Sequence, residues 1–161
     1  PAAEATVGAG ESLPYRNATF DFVSCLGSLE HFLDMGKGLE EMKRVAKPGG
    51  RFCIMVPNQD FIAWKLSAHK GTAQQDINEH LLPLSEWRRL FEQHGLRVRR
   101  VLPDRWHAVR WRSPAATEGE SGVKGKITGC LREAGWRLLP LRWQYQFVFV
   151  LERDTQRPTS P

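Results

Sequence analysis

Residues 20–58 read FDFVSCLGSLEHFLDMGKGLEEMKRVAKPGGRFCIMVPN, and this stretch decides the fold. The run 20–25 is rich in residues that favour strands, and apolar residues at helical spacing follow Asp34, a residue suited to cap a helix. Pro48–Gly50 is typical of a helix stop and a turn, and Arg51–Val56 indicates a second buried strand. The order strand, helix, strand predicts one right-handed βαβ unit of a parallel sheet.

Further elements are predicted on the C-terminal side of this unit. Apolar spacing at 87–91 predicts an amphipathic helix with Ser85 as its cap. The run 96–102 alternates apolar residues with arginine, which favours an edge strand with one wet face. The run 143–152 predicts a strand inside the sheet. Ligands of parallel sheets bind beyond the C-terminal strand ends, so we expect a cleft beside 26–34.

Composition indicates one globular domain of 161 residues, with 41% hydrophobic and 25% charged residues. No apolar run approaches the ~18 residues that a membrane-spanning helix needs, and the N-terminus does not resemble a secretory signal. The thiols of Cys25, Cys53 and Cys130 form no metal-binding pattern. We therefore expect free thiols, no metal and a cytoplasmic location.

Several segments resemble one protein family in their order and spacing. They are ESLPY at 11–15, FDFVSCLGSLEHF at 20–32, EEMKRVAKPGGRF at 40–52, IMVPN at 54–58, LLPLSEWRRLFEQHGLRV at 81–98 and WQYQFVFVLER at 143–153. Together they resemble the C-terminal half of class I S-adenosylmethionine-dependent methyltransferases, close to the small-molecule branch called type 11. The resemblance implies an α/β fold, a partial Rossmann-like sheet with flanking helices whose N-terminal strands are missing.

The family's first strand and glycine-rich loop have no counterpart here, since the chain contains no GxGxG. The resemblance thus implies a truncated methyltransferase domain at 1–153, with lid or insert regions at 59–83 and 105–142, and a disordered tail at 154–161. It also leaves the strand at 20–25 with an exposed edge. We expect that edge to pair with another chain or with a second copy.

The resemblance assigns the cofactor S-adenosylmethionine to the end of this strand. Leu26, Gly27 and Ser28 match the loop that touches its methionine and sulfonium region, where a glycine permits close approach. The alternative is a plain connection from strand to helix.

A second cofactor segment is implied beside the adenine, at Ala9, Gly10 and Glu11, followed by Ser12 and Leu13. Ala9 stands where the family commonly has an acidic residue, so backbone contact is the expected mode.

Glu30 and His31 complete the LEH signature of the family. His31 is a candidate base or substrate contact, but we favour the structural alternative that both residues tie the loop to the next helix. Methyl transfer depends on alignment of the acceptor more than on acid–base help, so we assign no catalytic residue.

Asn58, Gln59 and His80 are candidates for the substrate side, because they lie in loops near the cleft. The alternative is a turn cap at Asn58 and a surface histidine at His80.

These observations favour methyl transfer to a small-molecule acceptor, incomplete in this chain and without a membrane partner. One alternative is a non-catalytic methyltransferase-like scaffold or assembly domain. A basic nucleic-acid-binding module is a third, because 88–112 holds eight of the 23 Lys and Arg residues and contains RWHAVRWR. We disfavour it because the run is short and no reading module accompanies it.

Overall fold

A computed structural model describes residues 5–66, 79–104 and 139–154. The predictions made for RWHAVRWR, for Cys130, for positions 67–78 and 105–138 of the two lid regions and for positions 155–161 of the tail lie outside these residues. Among the described helices, none is long and apolar enough to cross a membrane.

The elements follow the predicted order. They are strand β1 at Phe20–Leu26, a 3₁₀ turn at Leu29–His31, helix α1 at Met35–Val45, strand β2 at Ala46–Pro57, helix α2 at Ile62–Leu66, helix α3 at Leu84–Gln93, strand β3 at Leu96–Pro103, a 3₁₀ turn at Leu141–Trp143 and strand β4 at Gln146–Arg153. The α/β class and the βαβ unit are confirmed.

The strands form one mixed sheet with the order β1-β2-β4-β3. β1 and β2 are parallel, whereas β4 runs antiparallel to both β2 and β3. The prediction that the last strand lies inside the sheet is confirmed, as is the edge position of β3. β1 is the opposite edge of the described sheet. Because ligands of parallel sheets bind beyond the C-terminal strand ends, the cofactor and acceptor regions expected from the sequence would adjoin the C-terminal end of β1.

One face of the sheet carries the core. Fully buried side chains alternate along β2 and β4, as a strand's period of two requires, and pack with side chains of both longer helices. They are Phe52, Ile54 and Val56 on β2, Phe147, Phe149 and Leu151 on β4, Leu39 and Val45 on α1, and Trp87 and Phe91 on α3.

The opposite face is open along β1 within the described part of the chain. Phe22 and Leu26 alternate along the strand with Val23 and Cys25. Phe22 is 57% exposed and Leu26 is 56% exposed. Cys25 is buried, whereas Cys53 is half-buried because it lies on this open side.

The glycine turn differs from the prediction. Helix α1 ends at Val45 and β2 begins at once, so Pro48–Gly50 lies inside the strand instead of before it. Phe20 pairs with Ala46 while Phe22 pairs with Arg51, and the extra residues of β2 bulge between these pairs. Gly49 has a φ of 80°, which favours glycine.

Of the two helix N-caps that the sequence predicts, one is confirmed and the other is wrong. Asp34 caps α1, since its Oδ1 accepts a hydrogen bond of 2.9 Å from the Lys37 amide. Ser85 is not the cap of α3, because the helix begins after Pro83 without a side-chain cap. Proline's fixed φ is compatible with a helix start, but its side chain has no acceptor for the first amides of α3.

Trp87 provides a test of how α3 is held against the sheet. Its Nε1 donates a hydrogen bond of 2.9 Å to the Pro57 carbonyl at the end of β2, in a buried place. Trp87→Phe keeps an aromatic ring but leaves that carbonyl unpaired, so we expect a loss of about 1–3 kcal/mol in the free energy of unfolding. Chemical denaturation measures it, and an unchanged midpoint would show that water replaces the indole.

Candidate functional site

The loop after β1 begins with a tight change of direction at Gly27. The Gly27 amide donates to the Met55 carbonyl at 2.9 Å, which continues the pairing of β1 with β2 by one residue. Its φ of 63° lies in the left-handed region, where L side chains are strained. A Cβ built there would lie 3.8 Å from Glu30 Oε1 and 3.9 Å from Met55 Cε. The protein therefore leaves space at Gly27, and the backbone conformation is what requires glycine.

Leu26 and Ser28, on either side of Gly27, are exposed. The Ser28 hydroxyl lies 3.4 Å from the Leu26 carbonyl, which is a long hydrogen bond. The predicted cofactor loop thus presents backbone groups and one hydroxyl at the open end of β1.

Glu30 lies behind this loop, on the 3₁₀ turn, and is only 3% exposed. Its Oε2 has no hydrogen-bond partner among the described residues. Burial raises the pKa of the Glu30 carboxyl, while its own backbone amide and His31 act to lower it and Glu79 adds to the rise. A buried carboxyl of this kind resists ionisation unless a positive group comes close.

The thiol of Cys25, on β1, lies in the same buried environment as the Glu30 carboxyl. Burial raises its pKa to about 11, and the charge of Glu30 contributes next. Cys25 is therefore a neutral, unreactive thiol at physiological pH.

Residues 79–83, here called the strap, lie across the ends of both parallel strands. The His80 amide donates to the Glu30 carbonyl at 2.9 Å, and the Gln59 amide donates to the Leu82 carbonyl at 3.2 Å. Leu82 also forms a bridge with Asn58. The His80 and Gln59 side chains are exposed, and that of His31 is half-buried. The strap thus brings His80 next to the LEH turn, as expected for residues sharing one cleft.

Asn58 has a different position from the one we expected of a substrate contact. It is fully buried, and its Nδ2 donates to the carbonyls of Arg142 at 2.8 Å and Gln144 at 2.7 Å. Its Oδ1 accepts from the Asp60 amide at 2.9 Å. The side chain is used to join the end of β2 to the chain before β4, so it presents no free group to a substrate.

The second predicted cofactor segment is a turn in which the Ser12 amide donates to the Ala9 carbonyl at 3.0 Å. Gly10 lies on the ring of Phe32, since a Cβ there would be 2.1 Å from that ring. Ala9 is exposed and Gly10 half-buried. This contact packs the segment against the loop that follows β1. The two predicted cofactor segments therefore meet at residues 26–34.

The carboxylate of Glu11 fastens the segment to the start of α1. Its Oε1 accepts from the Leu33 amide at 2.9 Å and lies 3.5 Å from the Asp34 amide. Glu11 thus uses its side chain within the fold, and only its backbone remains for a ligand.

Glu41 and Arg44 on α1 hold the chain that follows. Glu41 Oε2 accepts from the Leu13 amide at 2.8 Å, and Arg44 donates to the carbonyls of Leu13 at 2.9 Å and Tyr15 at 2.8 Å. The hydrogen bond from Arg44 lowers the pKa of Glu41 to about 2. This pair is absent from the sequence interpretation, although its spacing of three residues on a helix indicates a contact.

No cluster of three or more metal-binding side chains occurs in the ranges that the structure describes. Sequence reasoning also missed the isolation of the Glu30 carboxyl. The signal for it in the sequence is an acidic residue directly after Leu29, which is itself fully buried.

Known proteins share both the sequence pattern and the fold. A family model described as a methyltransferase domain matches residues 3–101. An uncharacterized methyltransferase of Bacillus subtilis is 30% identical over 91 residues, which are 55% of this chain and 36% of the relative. A demethylmenaquinone methyltransferase of Mycolicibacterium gilvum is 28% identical over 116 residues, or 66% of this chain and 51% of the relative. The chain thus spans about half or less of these relatives.

The geranyl diphosphate C-methyltransferase of Streptomyces coelicolor, solved with Mg²⁺, geranyl diphosphate and S-adenosyl-L-homocysteine, has a similar fold. The TM-score is 0.57 at 15% identity, over 92% of this chain and 51% of that one. At this identity the likeness concerns the fold alone.

Glu41→Gln tests how the N-terminal segment is anchored. Because the folded pKa of Glu41 is about 2 against an ordinary value of 4.5, its contribution to stability is present above pH 4.5 and is lost as the pH falls toward 2. In denaturant titrations, the free energy of unfolding of Glu41→Gln should lack the decrease that this carboxyl causes as the pH falls. Arg44→Gln removes the cause of the low pKa and should flatten the same range. An unaltered dependence in both variants would contradict the anchor.

Glu30→Gln tests the environment of the buried carboxyl. Because its folded pKa lies above the ordinary 4.5, its stabilising contribution is full below pH 4.5 and is lost as the pH rises through the folded value. The variant should gain stability over the wild type toward neutral pH. Asp21→Asn removes one carboxylate at the exposed other end of β1 and should keep the wild-type trend. A trend unchanged by Glu30→Gln would show that this carboxyl is solvated.

Proposed function

Because the chain belongs to the methyltransferase domain family, we propose that it serves S-adenosylmethionine-dependent methyl transfer to a small-molecule acceptor, with residues 26–28 beside the cofactor. The observation that carries the proposal is the open loop at Gly27, at the C-terminal end of a parallel strand where such sheets bind ligands.

The residues present fit such a cofactor at this end. Gly27 leaves room for a ligand next to the backbone, and Glu30 places an acidic group directly behind that room. S-adenosylmethionine would supply a methyl group activated by a sulfonium cation. A buried acidic group near a cation is stabilising for both, because charges interact strongly where water is excluded.

Ala9 and Gly10 are proposed to approach the adenine through their backbone, together with the backbone of Glu11. Ala9 is exposed and Gly10 is half-buried, so a ligand can reach their backbone groups. The contact of Gly10 with Phe32 fixes the turn next to the loop. The absence of a carboxylate at position 9 favours a weaker hold on the adenine than the family pattern implies.

On the acceptor side we propose His80 and, next to it on the LEH turn, His31. His80 lies on the strap and His31 on the LEH turn, and the backbone hydrogen bond from His80 to Glu30 joins these two segments. Asn58 is proposed to position the loop after β2 instead of touching the acceptor. The chain's residues then have to align the acceptor and exclude water, which are the main requirements of an in-line displacement.

A non-catalytic scaffold is the second candidate, and the exposed apolar side chains of Phe22 and Leu26 on the edge strand favour it. A flat titration with cofactor together with a defined dimer in solution would support this alternative over methyl transfer.

Calorimetry of the full-length protein with S-adenosyl-L-homocysteine tests the main proposal. We expect saturable binding that Gly27→Ala weakens by about tenfold or more, because an added side chain enters the ligand's space and strains the loop. Gly49→Ala is the matched control, since its φ of 80° is strained in the same way while nothing lies within 4 Å.

Both variants should lose about 1–2 kcal/mol of unfolding free energy from the left-handed conformation. Only Gly27→Ala should lose affinity. Equal affinity in both variants would place the cofactor elsewhere.

A further inference from the structure

Building on the proposed function, we propose that Glu30 supplies the counter-charge for a sulfonium group bound beside residues 26–28. It would thereby make the site prefer a cationic ligand over its neutral counterpart. Glu30 acts here as an electrostatic positioning residue behind the loop, with no role in forming or breaking bonds.

The first argument is geometric. Glu30 Oε1 lies 3.8 Å from where a Cβ of Gly27 would be, so the carboxyl adjoins the space that the glycine leaves open. Oε2 is buried and has no hydrogen-bond partner among the described residues. A buried polar atom without a partner is unfavourable, which indicates that its partner is not part of the described fold.

The second argument concerns the charges that face Glu30. On β1 it faces Cys25, whose thiol is neutral, and on its own turn it faces His31. From the strap it faces Glu79, whose like charge opposes ionisation, and the neighbouring His80 is joined to it through the backbone. The ion pairs found among the described residues do not include Glu30. No lysine or arginine in the described ranges therefore neutralises this carboxyl.

The consequence is a coupling between ligand charge and proton release. Without a cation the carboxyl keeps its proton to a higher pH than usual, because its charged form is poorly compensated. A cation beside 26–28 favours the carboxylate, so binding releases a proton to solvent over the range between the two pKa values.

The same coupling separates substrate from product. In methyl transfer a lone pair of the acceptor would form a bond to the methyl carbon as the carbon–sulfur bond breaks. Both electrons of the broken bond would stay on sulfur, so the positive charge would leave that atom and pass to the acceptor, which can release it as a proton. An ionised Glu30 then has no counter-charge at the sulfur. We therefore expect it to favour release of the neutral thioether over release of the sulfonium.

The test compares the affinities of S-adenosylmethionine and S-adenosyl-L-homocysteine for the full-length protein between about pH 5 and about pH 8, by calorimetry. In the wild type the preference for the sulfonium should rise with pH, by up to about tenfold per pH unit within the coupled range. In Glu30→Gln the ratio of the two affinities should stay flat, since amide and carboxyl have the same shape and only the charge is lost. Asp21→Asn should behave as the wild type, which controls for net charge.

Three results are distinguishable from the expected one. Binding of both ligands with a ratio that depends on pH equally in the wild type and Glu30→Gln would assign the effect to His31 or His80 and overturn this inference alone. A ratio that is flat in both proteins would do the same. Failure of both ligands to bind the wild type would overturn the proposed cofactor site and this inference together.

Discussion

The pairing of β2 with β1 on one side and β4 on the other is the constraint on which the rest of the structure depends. β2 contributes alternate side chains to the core, and its partners keep its polar backbone satisfied. Since β1 runs parallel to β2, both strands end at the same edge of the sheet. The loops after Leu26 and Pro57 must therefore lie side by side, and the fold itself produces a cleft at that edge.

Long-range hydrogen bonds then give this edge its shape. Asn58 joins the end of β2 to the chain before β4, and Trp87 joins the same end to α3. The strap connects Glu30 to Gln59 across the parallel pair. At the far side of the loop, Glu11 satisfies amides at the start of α1. The loop that we propose to hold the cofactor is thus fixed from three directions while its residues 26–28 stay open.

The features that the sequence predicts well are local ones. Asp34 caps α1 because a carboxylate before a helix satisfies amides a few residues away. The continuous apolar run at 147–151 predicts a buried strand without knowledge of its neighbours, because a strand covered on both faces needs no polar side.

The features that the sequence does not predict depend on distant contacts. Pro48–Gly50 lies inside β2 because β1 pairs on both sides of it. Asn58 is turned inward by carbonyls at Arg142 and Gln144, more than 80 residues away. The burial of Glu30 likewise depends on the strap, whose His80 is far away in sequence. Such contacts decide whether a polar residue faces a ligand or the protein.

The central claim is that the open end of β1 holds the cofactor. The most direct measurement is the change in backbone amide resonances of the ¹⁵N-labelled protein on adding S-adenosyl-L-homocysteine. The account predicts changes concentrated at Gly27, Ser28 and Gly10, with Gly49 at the opposite end of the sheet unaffected. Saturable changes confined to β3 or to the bulge at Gly49, with Gly27 unmoved, would contradict it.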